Sequence, residues 1–522
     1  MKHSARPWSV LAVLPLAALL AVPLAAAPEE PSELFFSPSE MPHRTKAEVF
    51  ESEPQKTGLW ETLPELMPIN PVHAALMHTG KVLIVSGSGN DPDNRDFMAA
   101  VWDPATGAVR TFTIEWDMFC NGMVVMPDGR PFVLGGTLRY DPFLGEPRTA
   151  AFDPVSETFT DLPLMSGGRW YPTATVLGDG RTLVYSGLND TGGALNTTVQ
   201  IWDGSAFTAA GTAFPGLDFY PREHVLPNGK VFVSGWSVDS WLYDPSTHAF
   251  TLVTRTQYPY RRVYGTSVLL PLTPGNGFSL RVMILGGRAP GATETTELID
   301  PAAASPAWRY GPAMIKARIQ LNATILPSGE VLVSGGSEVD EDNGSAVLEA
   351  ELYDPAVDAF RPAGTMEFPR LYHSNTLLLP DATVVAVGGN PLRKVYQPEI
   401  EIYSPPYLFD ASGKPAPRPT ISSVPSGVVA YGSSFTVGTP DAPRIASVVA
   451  IRPGAATHAF DMEQRMVGLS FAQGPAGGEL AVTAPANGNL APPGYWLLFV
   501  LDDAGVPSVA RFVRFGSGSS SY

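Results

Sequence analysis

One unit recurs along this chain about every fifty residues, and this repeat constrains the fold more than any other feature. Each copy has two β-type runs joined by a Pro, Asp, Asn or Gly turn, ends in glycine, and is followed by a signature such as VWDP or LYDP. The terminal glycines are spaced by 48 to 53 residues and are Gly87, Gly135, Gly187, Gly235, Gly286, Gly335 and Gly388. A β repeat of about fifty residues is typical of a kelch-type propeller blade, so the pattern predicts seven blades.

The predicted fold is therefore all-β, with two domains. A seven-bladed kelch-type β-propeller is expected over residues 57–412, with almost no helix, because no 3.6-residue hydrophobic period survives a whole repeat. We expect a strand from the segment before Trp60 to complete the last blade. After Pro405 the repeat stops, and short alternating runs between Gly, Pro and Asn turns predict a C-terminal Ig-like (E-set) β-sandwich over residues 416–516. Residues 517–522 form a polar tail.

The N-terminus and the charge balance indicate an exported protein that is soluble. Residues 1–27 carry Lys2 and Arg6, then an apolar run ending in three alanines, which is the pattern of a secretory signal. Residues 28–56 are polar, and no later segment approaches eighteen consecutive apolar residues, so we expect no membrane insertion. The formal net charge of −17 argues against nucleic-acid binding. We expect a secreted, periplasmic or cell-surface monomer.

Chemically distinctive residues share one position in the repeat, near the start of the hairpin. Cys120, the single cysteine, lies 15 residues before Gly135, and Tyr171 lies 16 before Gly187. Tyr372 lies 16 before Gly388, with His373 next. Because blades converge on the propeller axis, these residues should meet at one mouth of the channel, with Cys120 and Tyr171 as neighbours from consecutive blades.

Ordinary structural roles remain open at this point. A lone cysteine is otherwise a small buried hydrophobe, and tyrosine is common in β-strands. Adjacent strand residues normally point to opposite faces, which argues against a shared site for Tyr372 and His373 unless the backbone there is irregular.

Five local motifs distinguish a shared functional site from ordinary structural roles for these residues. They are DMFCNG, GGRWYPT, RLYHSNTLLLPD, ATHAFDMEQR and PPGYWLLFVLDDAGVPSVA, in this order along nearly all of the mature chain. Together they resemble the copper radical oxidases, the family of galactose oxidase and glyoxal oxidase, and RWYP is closer to the glyoxal oxidase branch.

The resemblance implies a complete redox site. It predicts a thioether between Cys120 and Tyr171, and one copper per chain held by Tyr171, Tyr372, His373 and His458. Imidazole and phenolate ligands suit Cu(II), and the thioether-substituted Tyr171 would be the second one-electron centre. Tyr372 would act as the general base. The implied reaction oxidises small aldehyde hydrates or primary alcohols with dioxygen and releases hydrogen peroxide.

The sequence departs from the family pattern near the radical. The galactose oxidase branch stacks a Trp on the cross-linked ring from the loop after the next Gly-Gly, where this chain has Ser186-Gly187-Leu188-Asn189. Trp236 is the candidate radical shield instead, and its alternative is ordinary blade packing. Candidate substrate contacts at the mouth are Arg222, Glu223 and Arg318. The competing hypothesis is a non-catalytic kelch propeller for glycan binding or adhesion, which would not need Cys120 beside Tyr171.

Overall fold

The computed structural model describes residues 53–211, 218–288, 290–339, 342–475 and 477–518. The predicted signal, residues 28–52 and the last four residues of the tail lie outside the described residues. Within them, one α-helix of four residues, Pro54–Thr57, and four 3₁₀ turns occur at Pro274–Asn276, Asn343–Ser345, Pro406–Leu408 and Ala442–Arg444. The prediction of an all-β protein with almost no helix is confirmed. No helix in this part of the chain is long and apolar enough to span a bilayer.

Strands β1 to β30 carry the repeats. They are β1 Leu59–Leu66, β2 His73–Leu76, β3 Val82–Gly87, β4 Met98–Trp102, β5 Val109–Thr113, β6 Gly122–Val125, β7 Pro131–Leu134, β8 Thr137–Arg139, β9 Leu144–Gly145, β10 Thr149–Asp153, β11 Thr158–Leu162, β12 Thr173–Val176, β13 Thr182–Tyr185, β14 Gln200–Trp202, β15 Phe207–Ala209, β16 Arg222–Val225, β17 Val231–Ser234, β18 Asp239–Asp244, β19 Ala249–Arg255, β20 Thr266–Leu269, β21 Val282–Leu285, β22 Thr296–Ile299, β23 Arg309–Tyr310, β24 Asn322–Ile325, β25 Val331–Ser334, β26 Glu349–Asp354, β27 Ala359–Thr365, β28 Asn375–Leu378, β29 Val384–Val387 and β30 Glu399–Ser404.

Each repeat forms one antiparallel sheet. The seven sheets are β2–β5, β6-β7-β10-β11, β12–β15, β16–β19, β20–β23, β24–β27 and β28-β29-β30-β1, and β8 pairs with β9 as a separate ribbon. The first strand of each sheet is fully buried, and it contacts the first strand of the next sheet in the order β2, β6, β12, β16, β20, β24, β28 and back to β2.

The last sheet is completed by the N-terminal part of the chain. Strand β1 pairs antiparallel with β30, where Trp60 lies opposite Tyr403. The expected strand therefore exists, but it begins at Leu59 and so includes and follows Trp60 rather than preceding it. The position was misjudged because Leu59–Leu66 contains Pro64, a residue that is tolerated in a sheet only at an edge or a bulge. Strand β1 is such an edge strand, with a register shift between Thr62 and Leu66.

The described C-terminal residues form ten strands, eight of which build two further sheets around their own core. They are β31 Val428–Ala430, β32 Ser434–Gly438, β33 Ile445–Ile451, β34 Ala455–Thr457, β35 Phe460–Asp461, β36 Met466–Leu469, β37 Phe471–Gln473, β38 Glu479–Thr483, β39 Gly494–Asp502 and β40 Arg511–Gly516. One sheet has the order β31-β40-β39-β33-β36 and the other β32-β38-β37. Buried side chains of both sheets, among them Phe435, Leu480 and Trp496, pack into one cluster.

A hairpin extends from the two C-terminal sheets into the ring of inner strands of the repeats. Strand β34 pairs antiparallel with β2, with Ala456 opposite Ala74, so the hairpin β34–β35 extends the first sheet on its inner side. β34 also contacts β6 and β28, and β35 contacts β24. The tip of this hairpin carries His458, which is thereby placed among residues of the repeats.

Candidate active site

The candidate site contains residues that lie just before the inner strands begin and that have a left-handed backbone conformation. Cys120, Tyr171, Tyr220 and His373 have φ values of +60°, +66°, +43° and +63°. Such values are uncommon for residues with a side chain and cost about 1–2 kcal/mol each. The Tyr171 amide donates to the Cys120 carbonyl at 3.0 Å, and the Tyr220 amide donates to the Tyr171 carbonyl at 3.1 Å. Equivalent residues of three consecutive sheets are therefore linked through their backbones.

Cys120 lies between two histidines that are distant in sequence. Its Sγ atom is 3.9 Å from Nε2 of His373 and 3.5 Å from Nε2 of His458. The three ligand atoms lie within 4.8 Å of one another, and all three side chains are buried. A thiol and two imidazoles that converge in this way form a potential metal site.

Each histidine is oriented by a hydrogen bond at its other nitrogen. Nδ1 of His373 donates to Oδ1 of Asn390 at 2.6 Å, and this oxygen also accepts from Asn70. Nδ1 of His458 donates to Oγ1 of Thr457 at 2.6 Å, because the Thr457 hydroxyl itself donates to the Val72 carbonyl. In both rings the proton is on Nδ1, which leaves the Nε2 lone pair free for a ligand.

Burial keeps these imidazoles neutral. Desolvation lowers the pKa of His373 to about 3. It also lowers the pKa of His458 well below its usual value, with a further contribution from the neighbouring His373. Neutral imidazole is the form that binds metal ions, so both rings are ready to accept one at neutral pH.

Two tyrosines pack against these imidazoles, Tyr171 against His458 and Tyr372 against both rings. The ring of Tyr171 lies 4.5 Å from that of His458 between centroids, and Tyr372 lies 5.3 Å from His458 and 3.8 Å from His373. Tyr372 and His373 share the cluster because the left-handed backbone of His373 breaks the alternation of a regular strand. A third phenol, Tyr220, donates its hydroxyl to the Asn121 carbonyl at 2.7 Å.

The ring stacked on Tyr171 belongs to the residue before it in sequence. Trp170 lies parallel to Tyr171, with centroids 3.7 Å apart and an interplanar angle of 13°, and Phe143 stacks on its other side at 4.2 Å. Trp236 contacts Phe219, which in turn lies 5.4 Å from Tyr171. Trp236 as a radical shield stays a prediction, and the indole that stacks directly on Tyr171 is Trp170, which the RWYP motif contains.

The three candidate substrate contacts are all buried rather than on a rim. Arg318 donates to the Gly335 carbonyl and to Glu351, which fastens two strands of its own sheet. Glu223 accepts from Thr175 at 2.5 Å, and burial raises its pKa to about 8. Arg222 donates to three backbone carbonyls, one of which belongs to His458. Substrate contact by these residues stays a prediction, and their burial does not favour it.

Sequence reasoning also missed the residues that orient the histidines. Asn390 follows the Gly-Gly pair of the last repeat, and Thr457 directly precedes His458. Both are buried polar residues next to motif residues, and only the fold shows which ring nitrogen each one contacts.

Fold and site together define a class of protein. Seven sheets in cyclic contact surround a buried set of two neutral imidazoles, two phenols and a thiol, completed by a hairpin from a second β-domain. Phenol and thiol side chains are themselves oxidisable, so the arrangement is compatible with a redox-active metal site.

Comparison with known proteins identifies the family. The family model described as "Glyoxal oxidase N-terminus" matches residues 96–407, and the one described as "Galactose oxidase-like, Early set domain" matches residues 418–515. The first match covers more than half of the chain. This chain therefore belongs to the glyoxal oxidase and galactose oxidase family of copper radical oxidases.

Named relatives agree with this assignment. The chain is 27% identical to galactose oxidase of Gibberella zeae, over 88% of this chain and 70% of that protein. It is 28% identical to aldehyde oxidase GLOX of Vitis pseudoreticulata, over 88% and 97%. A solved fungal alcohol oxidase of the AA5 family, in complex with copper, superposes with a TM-score of 0.77 at 26% identity and covers 88% of this chain and 100% of its own.

Proposed function

We propose that this protein is a secreted mononuclear copper radical oxidase that acts on small aldehyde hydrates or primary alcohols. The observation that carries the proposal is the position of Cys120 Sγ, 3.5 and 3.9 Å from two imidazole Nε2 atoms against which Tyr171 and Tyr372 pack. A primary alcohol and dioxygen give an aldehyde and hydrogen peroxide. An aldehyde hydrate and dioxygen give a carboxylic acid and hydrogen peroxide.

The donor set fits one copper ion per chain, held by Tyr171, Tyr372, His373 and His458. Two neutral imidazoles with protonated Nδ1 atoms and two phenols match the nitrogen and oxygen ligands that Cu(II) prefers. Bound copper supplies one of the two electron acceptors that the reaction requires. Asn390 and Thr457 keep both Nε2 atoms directed at the common centre.

The second acceptor would be the one-electron-oxidised, radical form of the Tyr171 phenol after its linkage to Cys120, and dioxygen, the co-substrate, is the oxidant that would restore it. In the linking step the Cys120 S–H and one Tyr171 ring C–H bond break and one C–S bond forms. The two protons and two electrons pass to dioxygen, which becomes hydrogen peroxide. The backbone hydrogen bond between the two residues supports their proximity.

Tyr372 is the proposed base. As a phenolate it accepts the proton of the substrate hydroxyl at its phenolic oxygen. Its side chain is 7% exposed, against 1% for Tyr171 and 2% for His458, so it is the member of the set most open to solvent. This difference makes Tyr372, rather than Tyr171, the better candidate for proton exchange with solvent.

Trp170 is the proposed shield of the oxidised Tyr171 ring, and this makes a testable prediction. We expect Trp170→Leu to shorten the lifetime of the oxidised, copper-loaded protein, because removing the indole opens one face of the ring to water and reductants. Trp236→Leu is the matched control, since Trp236 packs edge-to-face against Tyr264, with centroids 5.0 Å apart, rather than on the face of Tyr171. Decay of the visible absorbance of the oxidised form measures both variants. Equal decay of Trp170→Leu and the unsubstituted protein would remove Trp170 from this role.

The scaffold proposed for this site is a closed seven-bladed propeller over residues 57–412 and an Ig-like sandwich over residues 416–516. The cyclic order of contacts among the inner strands supports closure. Residues 1–27 are proposed to be a secretory signal, on the pattern Lys2, Arg6 and the alanine-rich apolar run. The chain is proposed to act as a monomer.

The proposed substrate class is tested by a preference between small and sugar substrates. We expect glyoxal, methylglyoxal or glycolaldehyde to give a higher kcat/KM than galactose. A hexose needs further hydrogen bonds, whereas the three polar residues predicted as substrate contacts are buried and already bonded, and unpaired polar groups would penalise sugar binding. Peroxide release by copper-loaded protein across this panel measures the preference. A clear preference for galactose would contradict the substrate class, and no peroxide from any alcohol or aldehyde would favour a non-catalytic glycan-binding propeller.

A further inference from the structure

The hairpin that carries His458 ends in a turn whose backbone conformation its own residues do not favour. Thr457 lies opposite Phe460, so His458 and Ala459 form a two-residue turn between β34 and β35. Their φ values are +48° and +62°. A two-residue turn with both central residues left-handed prefers Asn-Gly or Gly-Gly, because a Cβ atom is strained there. The conformation of His458 therefore depends on contacts outside the turn.

Arg222 makes such a contact from the opposite side of the ring. Its Nη2 donates to the His458 carbonyl at 2.9 Å and to the Gly265 carbonyl at 2.9 Å, and Nη1 donates to the Tyr220 carbonyl at 3.1 Å. The hairpin is held by β2 on one side, and Arg222 begins β16 of another sheet. One guanidinium thus ties the ligand-bearing tip to two residues of the repeats.

The surroundings of Arg222 fix its position. The side chain is fully buried, and its guanidinium lies 5.0 Å from the Phe460 ring centroid and 6.0 Å from that of Trp236. Desolvation lowers its pKa to about 9, so it still carries a charge at neutral pH. A charged side chain is rarely buried without a carboxylate partner, and here its hydrogen bonds go to backbone carbonyls.

We propose that Arg222 is a positioning residue for the metal site, which sets the orientation of His458 by bonding to its carbonyl. The proposal rests on the proposed function, since it takes His458 as a ligand of copper. In this proposal Arg222 supports the copper ligand His458 and does not contact the substrate. Asn390 and Thr457 orient the imidazole rings through their nitrogens, whereas Arg222 acts on the backbone of the strained turn.

The chain offers a matched control in Arg465. This arginine is also buried, has a pKa lowered to about 9, and bridges the same two parts of the chain by donating to the Val225 carbonyl of β16 at 2.5 Å. It makes no hydrogen bond to the turn at His458 among the contacts of the described residues. Each of the substitutions Arg222→Met and Arg465→Met therefore removes a buried arginine that links β16 to the C-terminal part of the chain. Only Arg222 is bonded to the proposed metal ligand, His458.

The experiment measures three properties of the full chain in both variants. In the copper-free protein, hydrogen exchange of residues 455–461 should accelerate in Arg222→Met and not in Arg465→Met. Copper affinity should fall about 10–100-fold in Arg222→Met, the usual range for a residue that orients a metal ligand. The copper hyperfine splitting in EPR spectra should change in the same variant. Arg222→Lys, which retains one donor to the carbonyls, should restore part of each property and serves where Arg222→Met does not fold.

Unchanged copper affinity, EPR spectrum and hairpin exchange in a folded Arg222→Met variant would overturn the proposal. A raised KM with unchanged copper binding would overturn it too, and would make Arg222 a substrate contact. The failure of the proposed function looks different, because the unsubstituted protein would then bind no copper or release no peroxide.

Discussion

Copper-treated protein exposed to dioxygen is expected to lose the free thiol of Cys120 and about 2 Da of mass, because forming one C–S bond from a thiol and a ring C–H removes two hydrogens. The two residues are held together by the amide of Tyr171 on the carbonyl of Cys120. Cys120 is the only cysteine of the chain, so no disulfide within the chain produces the same loss. Mass spectrometry of intact protein, and thiol alkylation before and after copper treatment, measure both changes.

Three variants separate the thioether from other oxidations. Cys120→Ser removes the sulfur and should show no loss of mass. Tyr171→Phe removes the phenol that activates the ring, so the thiol should stay alkylatable. Tyr220→Phe is the control, because Tyr220 packs 4.6 Å from Tyr171 but uses its hydroxyl on the Asn121 carbonyl. A fully alkylatable Cys120 in the unsubstituted protein after copper and dioxygen would refute the linkage.

The second large effect is expected on copper affinity when His458 is replaced. His458→Ala should lower copper affinity more than about 100-fold, since loss of a ligand costs more than the 10–100-fold that follows loss of a residue orienting one. Peroxide production should fall with it, while the sheets stay folded, because the alanine keeps the backbone pairing of β34 with β2. Copper titration and far-ultraviolet circular dichroism measure binding and folding in the same samples.

His224→Ala is the matched control for this substitution. His224 is also a buried histidine, but it bonds to Ser267 on the next sheet and takes no part in the cluster around Cys120. Its loss should destabilise the protein and leave copper affinity unchanged. If His458→Ala bound copper as tightly as His224→Ala, the claim that the C-terminal hairpin completes the site would be wrong.

The repeat made most of the fold predictable from sequence. Regular spacing of the terminal glycines predicted one β-sheet unit per repeat and placed Cys120 and Tyr171 at equivalent positions in consecutive repeats. The prediction of an all-β protein of the copper radical oxidase family is confirmed. Hydrophobic periodicity fixes which residues face the core, and it is therefore reliable wherever a strand is regular.

The details that sequence missed lie where the strand is irregular. Alternation predicted that Tyr372 and His373 point apart, yet their rings stack, and so do those of the adjacent residues Trp170 and Tyr171. The cause is the left-handed backbone at Tyr171 and His373, which tertiary contacts impose and local propensity does not favour. The burial of Arg222 could not be predicted from the sequence either, because only the fold brings the His458 carbonyl next to this side chain.

The pairing of β34 with β2 also determines when the site can come into existence. Ala74 and Ala456 stand near opposite ends of the chain, and the ribosome makes the chain from its N-terminus. All the repeats are therefore synthesised before this hairpin, and a partial chain holds Cys120, Tyr171 and His373 without His458. If His458 is a copper ligand, as proposed, such a chain cannot form the complete site, and peroxide production would begin only after the C-terminal hairpin has docked.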